Sequence, residues 1–129
     1  EFRRVLFRSL AIGDRLDTDI EAGNRGGYDS LAVLTGVTNP HELMFAPEHL
    51  RPTYIAKDLT GLNEPAPEVV HEAGAWSCRD VQACVDGDRL YVTDITSVDG
   101  LRAACAAMWD AADRGHSVDG MIVPEFRIA

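Results

Sequence analysis

Leu10-Ala11-Ile12-Gly13-Asp14-Arg15-Leu16-Asp17-Thr18-Asp19, followed at a short distance by Ser30-Leu31-Ala32-Val33-Leu34-Thr35, is the stretch on which the fold turns. Leu10 to Ile12 is a short apolar run that stops at Gly13-Asp14, the pattern left by the last residues of a buried strand. Asp17 or Thr18 can cap a helix running to about Asn24, and the cluster Asn24-Arg25-Gly26-Gly27 supplies the positive-φ positions that end one. Ser30 to Thr35 is a continuous apolar run of the kind found in a parallel strand covered on both faces, and Gly36 closes it. Strand, helix and strand in that order predict an α/β fold. In open sheets of this kind ligands sit beyond the carboxyl ends of the strands, so Asp14, directly after the first strand, points to a site and not to a core.

The acidic loop has a definite chemistry. Magnesium takes oxygen ligands in octahedral geometry, usually one or two carboxylates together with waters and a substrate phosphate. Asp14 suits direct ligation, and Asp19, in the first turn of the following helix, suits a metal-bound water or a neighbouring cation. Asp17 reads as outward-facing or capping. The same letters also form an ordinary turn and N-cap, and a helix N-terminus favours negative charge without any metal, so on spacing alone both readings stand. A calcium loop starting at Asp17 is excluded, because Ala22 stands where such a loop needs glycine and Tyr28 where it needs glutamate.

Working outward, His41 to Phe45 predicts a second short helix, Pro47 to Pro52 a turn, Thr53 to Ala56 a third strand and Lys57 to Leu62 a terminal helical turn. Asn63-Glu64-Pro65-Ala66-Pro67-Glu68 is extended and poorly helical, the start of a linker over 63–74. Beyond it, Trp76 to Cys78, Val81 to Val85 and Arg89 to Thr93 read as strands, with Asp86-Gly87-Asp88 as a hairpin turn. Val98 to Arg114 places Leu101, Cys105, Met108 and Trp109 on one helical face, Gly115 stops it, and Val118 to Val123 reads as a last strand. The expected second unit is a small α+β domain over 75–129.

Composition narrows the function classes. With 129 residues and 46% hydrophobic content the chain can bury the core of one domain or of two small lobes. Twelve basic residues against 21 acidic ones, a formal charge of -9, argue against a protein that tracks a nucleic-acid backbone. No apolar run approaches the roughly 20 residues that cross a bilayer, so no membrane partner is expected. Cys78, Cys84 and Cys105 form neither a CxxC pair nor an even disulfide set, which fits a reduced, cytoplasmic setting. His41, His49, His71 and His116 lack metal-ligand spacing and read as surface residues. Thr35 and Thr38 flank Gly36 where a substrate can sit, but turn chemistry explains them better. Trp76, Tyr91, Met108 and Trp109 read as core in preference to a ligand pocket.

The run AIGDRLDTDIEAGNRGGYDSLAVLTGVT, with RPTYIAKDLTGL after it, resembles the fourth motif and downstream strands of haloacid-dehalogenase-type phosphatases similar to phosphoglycolate and nitrophenyl phosphatases, over Leu10 to Leu62. The resemblance implies the C-terminal part of a Rossmann-like core over 10–62, with Mg2+ held by Asp14 and supported by Asp19. It implies hydrolysis of small phosphate monoesters, of the glycerol 3-phosphate or phosphoglycolate class, through an aspartyl-phosphate. The family's nucleophile and acid/base, a DxDG pair, have no counterpart among the 129 residues, so no catalytic residue is assigned here and the chain itself is expected to be inactive. The second unit resembles the small C-terminal extension of actinobacterial members, itself similar to part of an acetyltransferase fold, although Asp94-Ile95-Thr96-Ser97 lacks the glycine run that acyl-CoA phosphates need. Glu1 to Ser9 resembles a translated sequencing adapter and is set aside, which makes the chain a fragment by expectation. The partner expected for the intact parent is a small phosphorylated metabolite, and a homo-oligomeric parent is left open. The competing reading is a non-catalytic α/β binding or interaction module.

Overall fold

A computed structural model describes residues 11–13, 15–34, 39–58 and 67–128. They fall into two compact units, Glu1–Asn39 with Ala46–Pro65, and Pro40–Phe45 with Ala66–Ala129.

The first unit carries a parallel sheet of β1 (Ala11–Gly13), β2 (Ser30–Val33) and β3 (Tyr54–Ala56), ordered β1-β2-β3. Gly13 pairs with Ala32 and Val33 with Ala56, so the carboxyl ends of all three strands share one edge. The central strand β2 is buried throughout, as a continuous apolar run demands. Leu31, Val33 and Ala56 form its core cluster.

Between β1 and β2 the chain makes a π-helical turn, Leu16–Ile20, that runs into helix α1, Glu21–Arg25. The expected cap at Asp17 or Thr18 is not used: Arg15, in extended conformation, precedes the first helical residue, and its side chain caps nothing. The reason is apolar. Leu16 and Ile20 lie four residues apart and are 3% and 0% exposed, so a helix that starts at Leu16 buries both, which outweighs a capping bond of about 1 kcal/mol. Gly23 lets α1 settle on β1, because a Cβ there would stand 2.5 Å from the Cβ of Ala11.

A polar knot ties the carboxyl end of α1 to the amino ends of β2 and β3. The fully buried Ser30 hydroxyl donates to Asn24 Oδ1 (3.1 Å) and accepts from the Thr53 amide (3.1 Å), while the Ser30 amide donates to Thr53 Oγ1 (2.9 Å). Asn24 Nδ2 donates to the carbonyls of His49 (3.0 Å) and Arg51 (2.9 Å). Among the described residues no buried side-chain nitrogen or oxygen lacks a partner.

The second unit is an antiparallel meander, β4 (Val69–Glu72), β5 (Ala75–Cys78), β6 (Val81–Asp86) and β7 (Arg89–Val92), with helix α3 (Val98–Asp113) packed on one face. Strand β4 lies within the stretch read as linker. Every hairpin has a two-residue loop: Ala73 and Gly74 both have positive φ, as in a type I′ turn, whereas at Gly87-Asp88 the glycine alone does, as in type II′. Ser97 caps α3, its hydroxyl accepting from the Gly100 amide (3.1 Å). Leu101, Cys105 and Met108 are buried as the helical spacing predicts. Tyr91 is not core: it projects from β7 opposite Cys84, and it is 52% exposed. The expected strand over Val118 to Val123 shrinks to one bridge, Arg89 to Ile122, because the chain turns at Gly120, whose φ is 80°. Helix α2 (Pro40–Met44) belongs to this unit too, although it lies between β2 and β3 in sequence. Among the described residues no helix is long and apolar enough to cross a membrane.

Candidate metal centre

The shared carboxyl edge of β1, β2 and β3 is where a ligand site is expected. Beyond β2 the edge is held by the Leu34 amide, which donates to the carbonyls of Ala56 (3.1 Å) and Lys57 (3.2 Å). At β1 the last described residue is Gly13, and the Asp19 carboxylate lies directly against it. A Cβ built on Gly13 would collide with Asp19 Cβ, Cγ and Oδ2. Glycine is thus required at the strand end for Asp19 to come so near.

The helical turn explains the approach. With Leu16 and Ile20 turned into the core, Asp17, Thr18 and Asp19 occupy the exposed arc. Asp17 faces outward as expected, and the Arg15 guanidinium donates to it (3.3 and 3.4 Å). Both groups are largely exposed, so this ion pair contributes at most about 1 kcal/mol. Asp19 instead returns to Gly13, one residue before Asp14. Asp14 lies outside the described residues, as do Thr35, Gly36 and Thr38. The donors at hand, carboxylate oxygens at a parallel-sheet edge, suit a hard cation such as magnesium. Among the described residues no group of three or more His, Cys, Asp or Glu side chains is placed to hold a metal ion, so the fit rests on Asp19 and on the covalent neighbourhood of Gly13 and Asp14. Sequence reasoning missed the part played by Gly13. Lys57 and Asp58, in the stretch read as a helical turn, follow β3 at the same edge.

The second unit holds a different cluster. Cys78 Sγ donates to Asp99 Oδ1 (3.4 Å), which also accepts from Arg102 (2.7 Å), while Arg79 stands 3.6 Å from Oδ2. Burial, reinforced by the hydrogen bond and charge of Asp99, pushes the Cys78 thiol up to about 11. Burial alone drives Cys105 higher still. Both are protonated at neutral pH and poor nucleophiles. Histidine serves structure: His71 stacks on Trp76 (4.4 Å between centroids), and a ring nitrogen of His116 lies 3.0 Å from the Gly87 carbonyl oxygen.

Comparison with known proteins extends this picture. Residues 4–62 match the profile of the HAD-hydrolase-like family; the match starts at Arg4, inside the adapter-like stretch. The chain is 37% identical over 115 residues to D-glycerol 3-phosphate phosphatase of Mycobacterium tuberculosis, which covers 80% of this chain and 31% of the relative. It is 38% identical over 55 residues to phosphoglycolate phosphatase 2 of Arabidopsis thaliana, or 43% of this chain and 18% of that one. A crystal structure of the glycerol phosphate phosphatase from Mycobacterium tuberculosis in complex with magnesium matches with a TM-score of 0.63 and 34% identity over 85% of this chain and 34% of that chain. The chain thus spans about a third of the length of the mycobacterial relative. Neither unit alone amounts to 85% of the chain, so the likeness extends into both. The chain is homologous to these phosphatases, and the stretch that matches the HAD-hydrolase-like profile, residues 4–62, includes the parallel sheet.

Proposed function

We propose that this chain supplies the metal-binding edge of a magnesium-dependent phosphatase that hydrolyses small phosphate monoesters. The observation that carries the reading is the seat of Asp19 against Gly13, at the carboxyl end of a parallel strand whose next residue is Asp14. Homology to glycerol 3-phosphate and phosphoglycolate phosphatases supports the substrate class. In this reading Asp14 ligates Mg2+ directly, and Asp19 holds a metal-bound water or a neighbouring cation. A bound magnesium ion would neutralise phosphate charge.

The nucleophile and the acid/base belong outside these residues, since no DxDG segment occurs in the sequence. The 129-residue chain is accordingly inactive, and phosphate transfer to an aspartate takes place in a longer protein that includes it. The test compares the two. Phosphate release from glycerol 3-phosphate and phosphoglycolate is measured with increasing magnesium for the purified chain and for the longer coding sequence. The longer protein should turn over and should lose that turnover with Asp14→Asn. Magnesium-dependent turnover by the 129-residue chain would refute the split. A longer protein without a DxDG segment and without turnover would favour a binding module.

A further inference from the structure

The tetrapeptide Ser-Val-Asp-Gly occurs twice in the second unit, at 97–100 and at 117–120, and the fold puts the two copies to different uses. The first copy starts α3. Its Gly100 amide donates to Ser97 Oγ (3.1 Å), and its Asp99 carboxylate accepts from Arg102 (2.7 Å) and Cys78 Sγ (3.4 Å). The second copy is a tight turn. The Met121 amide donates to the Val118 carbonyl (3.1 Å), and Gly120 has a φ of 80° while Asp119 stays out of the left-handed region, as in a type II turn. Asp119 and Gly120 are exposed, and among the described residues nothing holds the Asp119 carboxylate or the Gly120 amide. This turn leads straight into the bonds that cover the edge of β7. The Ile122 amide donates to the Asp88 carbonyl (2.8 Å), and the Leu90 amide donates to the Ile122 carbonyl (2.9 Å).

We propose that Asp119 is a site of spontaneous isomerisation, a slow covalent change that frees the C-terminal segment from β7. The Gly120 nitrogen attacks the side-chain carboxyl carbon of Asp119. The new C–N bond closes a five-membered imide, and the amide proton leaves with the carboxyl OH as water. Glycine favours closure because no Cβ crowds the attacking nitrogen. Water then adds at the former main-chain carbonyl and its C–N bond breaks, so the chain runs on through the Asp119 side chain. Composition is unchanged, but the main chain is one methylene longer, inside a turn closed by one hydrogen bond and just ahead of Ile122. Asp99 is held off the same path. Its carboxylate is tied down, its Gly100 amide is engaged by Ser97, and Gly100 is buried against the Asp94 carbonyl. The third Asp-Gly pair, Asp86-Gly87, is intermediate, because closure there must break the pairing of Asp86 with Arg89 at the end of the β6–β7 ladder. The proposal is independent of the phosphatase reading.

Ageing the full chain at neutral pH, folded and in urea, tests it. An L-isoaspartyl methyltransferase labels each converted site, and peptide mapping tells the sites apart. In the folded chain Asp119 should gain label about tenfold or more faster than Asp99, with Asp86 between them. In urea the two copies share their local sequence, so the ratio of Asp119 to Asp99 should fall to about one. Equal rates at Asp119 and Asp99 in the folded chain, or a difference that persists in urea, would overturn the assignment. Native-state hydrogen exchange reads the consequence. In the aged chain the Leu90 and Ile122 amides should exchange faster, while the Thr93 amide, bonded to the Gln82 carbonyl (3.0 Å), should not change. Asp119→Glu, whose carboxyl would have to close a larger ring, should take no label at this position and should keep both amides protected with age. Loss of that protection in the aged Asp119→Glu chain would give the release another cause and overturn the proposed consequence.

Discussion

Replacing Gly13 by alanine tests the geometry of the candidate metal centre directly. In most strands this change is favourable by roughly 0.5–1 kcal/mol, because glycine loses more backbone freedom on folding. Here the new methyl collides with the Cβ of Asp19 as well as its carboxylate. A carboxylate alone could swing away, but the Cβ moves only with the backbone of Leu16–Ile20, and that turn is pinned by the buried Leu16 and Ile20. Overpacking of this kind costs about 1–3 kcal/mol, so the net loss should be about 1–2 kcal/mol, or a fall in Tm of roughly 4–8 °C for a chain of this size. Urea and thermal unfolding followed by circular dichroism measure it. A double-variant cycle isolates the cause: Asp19→Gly removes the clashing atoms, so Gly13→Ala/Asp19→Gly should be more stable than the two single losses predict by about 1–2 kcal/mol. Gly13→Ala as stable as the parent, or a cycle additive within about 0.5 kcal/mol, would refute the seat of Asp19 on which the metal reading stands.

Three further outcomes follow from the same structure. Ala73, at φ 51° in the β4–β5 turn, sits in the left-handed region, so Ala73→Gly should raise stability by about 0.5–1 kcal/mol in urea unfolding. Ser30→Ala strands Asn24 Oδ1 and the Thr53 amide at the buried amino edge and should lower stability by about 1–3 kcal/mol in the same assay. The thiols set an alkaline limit: Cys78 and Cys105 keep their protons in the folded state while the unfolded thiols ionise near 9, so the native state binds more protons and stability falls as pH rises. The loss due to Cys78 should run from about pH 9 to about 11, and Cys78→Ser should flatten that part of a stability-against-pH curve.

The parallel sheet was legible because each of its signals is local. A fully buried strand reads as an unbroken apolar run, and Ser30 to Val33 is one. The Asp-Gly turn and the helix over Val98–Asp113 were legible for the same reason. The helix start was not. Capping preference placed it at Asp17 or Thr18, but burial of Leu16 and Ile20 depends on where β1 and β2 lie, which no window of sequence contains. Strand β4 was hidden in a stretch that begins with prolines, its residues paired by β5 and the left-handed Ala73. The failed strand near Ile122 shows the converse: Val118 to Val123 has the apolar content of a strand, but Gly120 turns the chain before a ladder can form.

The candidate site was legible as a set of residue types and not as an arrangement, and the difference lies in two residues that carry no charge. Five positions separate Asp14 from Asp19, and on spacing alone the acidic loop reads either as a turn with an N-cap at Asp17 or Thr18 or as a metal site with Asp19 in support. Burial of Leu16 and Ile20 starts the helix early and turns Asp17 and Thr18 to solvent. Gly13, lacking a side chain, then leaves room for Asp19 to rest close to the strand end. A capping carboxylate would have turned back to the amides of its own helix. Asp19 instead lies against the strand-end glycine, and that placement is what the folded chain adds to the sequence.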